Sequence, residues 1–284
     1  MKLKYNNTEI DFFNFELKQV ILSLSGGADS TALLYLMCKH FPDLEIIPFT
    51  SRDKYGPLDA IAAGKIIEWI KNEFPNQKIK DLITFEFDDR DPEFYKTIPE
   101  RVKHFPKSRN IRQLNNQQIS KILQIDIHRS KILENYPEAF MTDGMTANPP
   151  LAIQEKYPIM HKLAEKRRNP GTIHNTFQSN NFYKPFLNVD KKFVADVFKQ
   201  NNLMDSLFKL TRSCVGIESK TDNGKYECHR CFWCFEKKWA FDLEWDYNLV
   251  GPDVHGDNDI HLNPRDFVDN CPPNAKHKPI WLKT

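Results

Sequence analysis

Residues 22–34 read LSLSGGADSTALL. A glycine pair, an aspartate and four hydroxyl residues separate one apolar run from the next. Phosphate needs positive potential and many hydrogen-bond donors. A glycine pair lets backbone N–H groups turn inward without a Cβ in the way. A helix starting directly afterwards adds its orphan N–H groups and the positive end of its dipole. Leu24, Ser25, Gly26, Gly27, Ala28, Asp29, Ser30 and Thr31 are therefore the candidate phosphate-binding residues, with Asp29 and Ser30 also candidates for a catalytic role. Asp29 is out of place beside an anion unless it caps the helix or holds a Mg²⁺ that bridges phosphates. The spacing is neither GxxxxGK[ST] nor GxGxxG, which excludes the two commonest glycine-rich phosphate loops. An ordinary capped strand-to-helix turn is the plain alternative.

A second cluster lies far along the chain. Cys214, Cys228, Cys231 and Cys234 are spaced C-x13-C-x2-C-x2-C, so four of the six cysteines fall within 21 residues. Four thiolates at closing distance need a soft cation between them, and zinc takes such a set in a closed tetrahedral structural site. An iron–sulfur cluster also uses four thiolates. A redox pair and plain buried thiols complete the alternatives. Phe232, Trp233 and Phe235 either pack this knuckle onto the domain or stack bases. Cys38 reads as a core residue of a helix, and Cys271 as incidental.

These residues must be held by elements the pattern also shows. Residues 19–24 form a short β-branched strand, and 29–40 a helix with Ala32, Leu33, Leu36 and Met37 on one face. Strands follow at 45–49, 82–87 and 139–142, with helices at 57–74, 117–123 and 191–200. Alternation of this kind predicts an α/β fold, a doubly wound parallel sheet covered by helices on both faces. Ligands in such sheets bind at the carboxyl ends of the strands, near the switch in strand order. The glycine loop and the Asp143-Gly144 pair both fall at such ends. Residues 160–180 are polar and basic and read as a surface loop. The expected organisation is a nucleotide-binding domain over 1–205, a cysteine subdomain over 206–245 and a polar extension over 246–284. Arg109, Lys184, Lys191 and Lys192 are basic candidates for polyphosphate contact, although each would ordinarily be a solvated surface charge. Arg167 and Arg168 are candidates to close over a substrate.

The run Ser25-Gly26-Gly27-Ala28-Asp29-Ser30 resembles the SGGxDS signature of the PP-loop ATP pyrophosphatases, of the adenine nucleotide alpha hydrolase-like fold. Within that group, the pairing with Ser213-Cys214, Cys228, Cys231 and Cys234 resembles the 7-cyano-7-deazaguanine synthases. The resemblance spans roughly residues 18–242. It implies ATP, Mg²⁺ and Zn²⁺ as cofactors. It implies an ATP-dependent carbon–nitrogen ligase that adenylates 7-carboxy-7-deazaguanine and uses ammonia to form the nitrile, for queuosine-type modification of tRNA or DNA. Tyr157-Pro158 is followed by Ile159-Met160 where that family has Asp-Cys. A PP-loop enzyme adenylating another acceptor is one alternative. A zinc-knuckle nucleic-acid-binding module without catalysis is the other.

Lys plus Arg is 40 and Asp plus Glu is 38, so no global basic field drives nucleic-acid binding. Direct nucleic-acid contact and a homodimer stay open. No apolar run is long enough to span a bilayer, and the first residues show no secretory pattern. The chain is expected to be cytoplasmic.

Overall fold

In the computed structural model, which describes residues 1–54, 58–88, 91–101, 116–156, 172–179, 181–213 and 232–243, the run at Gln19–Ser23 is the strand β3 of a larger sheet, after a hairpin of β1 (Lys2–Tyr5) and β2 (Thr8–Asp11). Val20, Ile21 and Leu22 are all fully buried. Val20 and Leu22 join one core cluster and Ile21 another. Adjacent side chains of a strand point to opposite faces, so a continuous apolar run marks a strand covered on both sides.

The chain continues through α1 (Ala28–His40), β4 (Glu45–Asp53), α2 (Leu58–Glu73), β5 (Ile83–Phe87), α3 (Pro92–Arg101), α4 (Asn116–Asn135) and β6 (Phe140–Asp143). It then forms α5 (Leu151–Lys156), β7 (Phe177–Ser179), β8 (Phe182–Tyr183), α6 (Lys191–Gln200), α7 (Leu207–Leu210) and α8 (Phe232–Phe241). The six-stranded sheet has the order β5-β4-β3-β6-β8-β7. All its pairings are parallel except β7 with β8. The chain leaves β3 toward β4 and β5 on one side and returns to β6 on the other, which puts the switch in strand order between β3 and β6.

Several expectations need revision. β4 runs to Asp53, past Pro48. That proline is tolerated because of where it falls on the β5 side. The Ile46–Ile79 bridge lies before it, and the β5 ladder begins only at Phe49–Ile83. A missing N–H there costs no ladder bond. α1 is not a one-faced helix: every residue from Ser30 to Cys38 is buried. The expected helix at 117–123 extends over Asn116–Asn135. Ile125 and Ile127 alternate with polar neighbours in strand fashion, which hides it in the sequence. Part of the polar stretch at 160–180 is strand β7, paired antiparallel to β8.

The larger core cluster packs Phe12 and Phe13 with α1, α2 and Phe193, Val194 and Phe198 of α6. Leu207, Phe208, Ala240 and Phe241 belong to the same cluster, so α7 and α8 share the core of the sheet domain. Residues 246–284 lie outside the described residues. Among the described residues, no helix is long and apolar enough to cross a membrane.

Candidate functional site at the carboxyl ends of β3 and β6

β3 delivers the chain to the loop, and Leu24 N–H donates to Phe49 O at 2.8 Å. Gly26 then has φ +75°, the left-handed region open to glycine. A Cβ there would lie 2.6 Å from the Asp59 carbonyl oxygen and 2.9 Å from Ala62 Cβ, so α2 rests directly on the loop. Gly27 is the N-cap of α1 and makes no side-chain cap bond. Its carbonyl accepts from Thr31 Oγ1 at 2.8 Å, Thr31 N at 3.1 Å and Ser30 Oγ at 3.2 Å. The Ser25 and Ser30 hydroxyls are 3.3 Å apart. The loop is tied by its own hydroxyls, while the first-turn N–H groups of a 13-residue helix, which have no partner within the helix, mark its open end.

β6 supplies the opposite side. A Cβ on Gly144 would fall 2.5 Å from Ser30 N and from Asp29 C, so the chain leaving β6 lies against the first turn of α1 with no room for a side chain. Asp143 accepts from Met145 N at 3.1 Å and pairs with Lys184 Nζ at 3.2 Å, with Arg129 Nη2 at 3.8 Å. Lys184 is buried, 4.8 Å above the centre of the Phe182 ring.

Asp29 is not the helix cap, since Gly27 holds that position. Its Oδ2 instead lies 3.0 Å from Lys191 Nζ, which also lies 3.1 Å from Glu236 Oε2 of α8. Burial alone pushes the Lys191 ammonium down, but the two carboxylates outweigh it and hold the group above the usual lysine range. The reading of Lys184 and Lys191 as surface charges is thus overturned by their burial, whereas Lys192 is exposed and pairs with Asp242. Along the loop, Arg212 N–H donates to Gly26 O at 2.8 Å. Ser213 Oγ lies 3.9 Å from where a Gly27 Cβ would stand.

Of the four cluster cysteines, only Cys234 is described, buried in the first turn of α8. Cys214, Cys228 and Cys231 lie outside the described residues, as do Cys271, Arg109, Arg167 and Arg168. No group of three or more metal-ligating side chains is assembled among the described residues. Burial pushes the Cys38 thiol up to about 12, in keeping with an inert core residue.

Glu236, Arg129 and Arg212 were not anticipated. A signal existed for Lys191, however. It stands three, four and seven residues before the buried Val194, Ala195 and Phe198, on the apolar stripe of α6. Glu236 similarly precedes buried Ala240 by one helical repeat of four.

No family model matches the chain, and no curated protein matches it. Among solved structures it is similar to a U34-tRNA thiolase, NcsA, from Methanococcus maripaludis with its [4Fe-4S] cluster. The identity is 18% and the TM-score 0.36, with 66% of this chain and 57% of that one covered. The chain therefore spans less than two thirds of that neighbour's length.

Proposed function

We propose that the chain is a nucleotide-using enzyme of the PP-loop ATP pyrophosphatase type, with ATP phosphates held at Ser25–Thr31. The observation that carries this reading is the loop itself. An SGGADS run leaves the central strand β3 at the switch in strand order and opens the N-terminus of α1. The residues fit an anion. Gly27 caps α1 with backbone alone, and neither Gly26 nor Gly144 has space for a side chain. Asp29 would repel phosphate if bare, but the Lys191 ammonium, which it shares with Glu236, offsets that charge at 3.0 Å. A Mg²⁺ on Asp29 would have to compete with that ammonium, so Mg²⁺ is better matched to phosphate oxygens than to this carboxylate.

The finer reading is activation of a heteroaromatic carboxylate, 7-carboxy-7-deazaguanine, followed by amide and nitrile formation with ammonia. A carboxylate is a poor electrophile at neutral pH, and ATP supplies AMP as a leaving group. The chain's own contribution is positioning and charge stabilisation at the crevice. Support comes from Ser213-Cys214 and the C-x2-C-x2-C spacing, which fit a four-thiolate zinc site, and from the position of Ser213 beside Gly27.

The test is incubation of the full chain with ATP, Mg²⁺, ammonium and 7-carboxy-7-deazaguanine, with products followed by mass and bound metal measured in the same preparation. Pyrophosphate, amide and nitrile, with one zinc per chain, are expected. ATP binding without amide or nitrile would transfer the reading to another acceptor. Iron with sulfide would replace the zinc assignment. No ATP binding at all would remove the loop from the mechanism.

A further inference from the structure

Lys191 opens α6, a position from which a lysine usually carries its charge to water. Here its side chain is 2% exposed, held between Asp29 of the first turn of α1 and Glu236 of α8. Glu236 is 0% exposed. Burying three ionised groups together is costly, and the best-attested return is a fixed arrangement rather than stability. The three residues come from three different helices, and one of them belongs to the glycine loop.

We propose that Lys191 and Glu236 are positioning residues for the glycine loop: Glu236 holds Lys191, and Lys191 holds Asp29, fixing the first turn of α1 and keeping its carboxylate paired before a phosphate arrives. The inference rests on the nucleotide reading of Ser25–Thr31 and adds to it a fastening from α8. A separate contact works in the same direction. Arg212 N–H donates to Gly26 O at 2.8 Å, and Lys237, the neighbour of Glu236, reaches the Thr211 carbonyl at 3.5 Å. The stretch Thr211–Ser213 and the middle of α8 are therefore linked to each other, and each is tied separately to the loop.

The geometry separates two roles for Lys191. A lysine that contacts phosphate directly would matter whether or not Glu236 is charged. A lysine that acts through Asp29 depends on Glu236 to hold its ammonium in place. Glu236→Gln keeps the shape of the side chain and leaves the Lys191–Asp29 pair, so it tests the second role alone.

In hydrogen exchange of the nucleotide-free Glu236→Gln protein, the amides of Thr31–Leu33, the first in α1 with carbonyl partners in the turn that holds Asp29, are expected to exchange roughly tenfold faster than in wild type, the order found when members of one ion network are uncoupled. Val20–Leu22 of β3 should keep their rates. ATP should bind more weakly by a similar factor, and Glu236→Gln should add nothing to Asp29→Asn. Lys191→Arg, which keeps the cation, should stay near wild type in both measurements. Unchanged exchange at Thr31–Leu33 overturns the proposal. So does uniform acceleration that includes β3, which a purely structural role would give. Should Glu236→Gln not fold, Glu236→Asp is read by the same two measurements. If the wild-type protein binds no ATP, the nucleotide reading falls, and the exchange rates still decide the fastening.

Discussion

Lys184 and Lys191 stand seven residues apart, and each meets an aspartate at the carboxyl end of a central strand or just beyond it. Lys184 meets Asp143 at the end of β6, and Lys191 meets Asp29 after β3. Both lysines are buried, yet their surroundings differ. Lys184 has a ring 4.8 Å below it, and its aspartate is also approached by Arg129. That pair is local, since β8 adjoins β6 in the sheet. Lys191 instead reaches a second carboxylate, Glu236, 45 positions further along the chain. One lysine completes a charge group on its own side of the sheet. The other joins parts of the fold that the strand ladder does not connect. The same ion-pair chemistry thus serves as a wall at β6 and as a joint at β3.

Breaking the joint should have the largest effect. Lys191→Met leaves Asp29 and Glu236 facing each other without their cation, a loss of about 3–5 kcal/mol for a buried network deprived of one partner. Urea unfolding measures it, and a loss under about 1 kcal/mol would show that Lys191 is dispensable as a joint. The pH dependence has a definite sign. The folded-state value of Lys191 is raised above 10.5 by the two carboxylates against the opposing effect of burial. Its charge therefore contributes stability that is fully present below pH 10.5 and lost as pH rises through the higher folded value. The gap between wild type and Lys191→Met should narrow on that alkaline side.

Lys184→Met should cost less, about 1–2 kcal/mol, because Asp143 keeps the Met145 N–H at 3.1 Å and Arg129 at 3.8 Å. The apolar replacement also suits the Phe182 ring. A loss equal to that of Lys191→Met in the same titration would erase the distinction between wall and joint.

How much of this was legible in the sequence follows from the range of each interaction. The β3–loop–α1 unit is local, and its glycines, hydroxyls and apolar flanks are contiguous, so both its position and its strand–helix context could be read directly. The alternation of strands and helices was legible and Gly144 was placed at the carboxyl end of its strand, whereas the strand order that puts β3 beside β6 is a non-local pairing that the sequence does not print. The β1–β2 hairpin was missed because each strand has only four residues around Asn6-Asn7, too short for a period of two to stand out. β8 has two residues and carries no pattern at all. Glu236 could not be assigned a partner, because a single buried acid on an aromatic helix does not disclose a lysine 45 residues earlier. Lys191 did leave a trace, since it occupies the apolar stripe of α6, but composition alone favoured the surface reading.

The smallest effect is expected one residue away, and it gives the comparison its control. Lys192 follows Lys191 on α6 but points about 100° around the helix axis and is exposed. Its Nζ pairs with Asp242 at 3.2 Å, where the two side chains are 46% and 63% exposed, and lies 5.6 Å from the centre of the Trp239 ring. Exposed ion pairs contribute between about 0 and 1 kcal/mol, and exposed cation–ring contacts a similar amount. Asp242 also keeps Lys199 at 2.7 Å, so Lys192→Ala leaves no carboxylate stranded. The expected loss is at most about 1 kcal/mol, reduced further by salt because both groups face solvent. Hydrogen exchange at Thr31–Leu33 should match wild type. A Lys192→Ala protein with a disturbed loop would mean that total positive charge near α6, and not the buried joint at Lys191, governs the glycine loop.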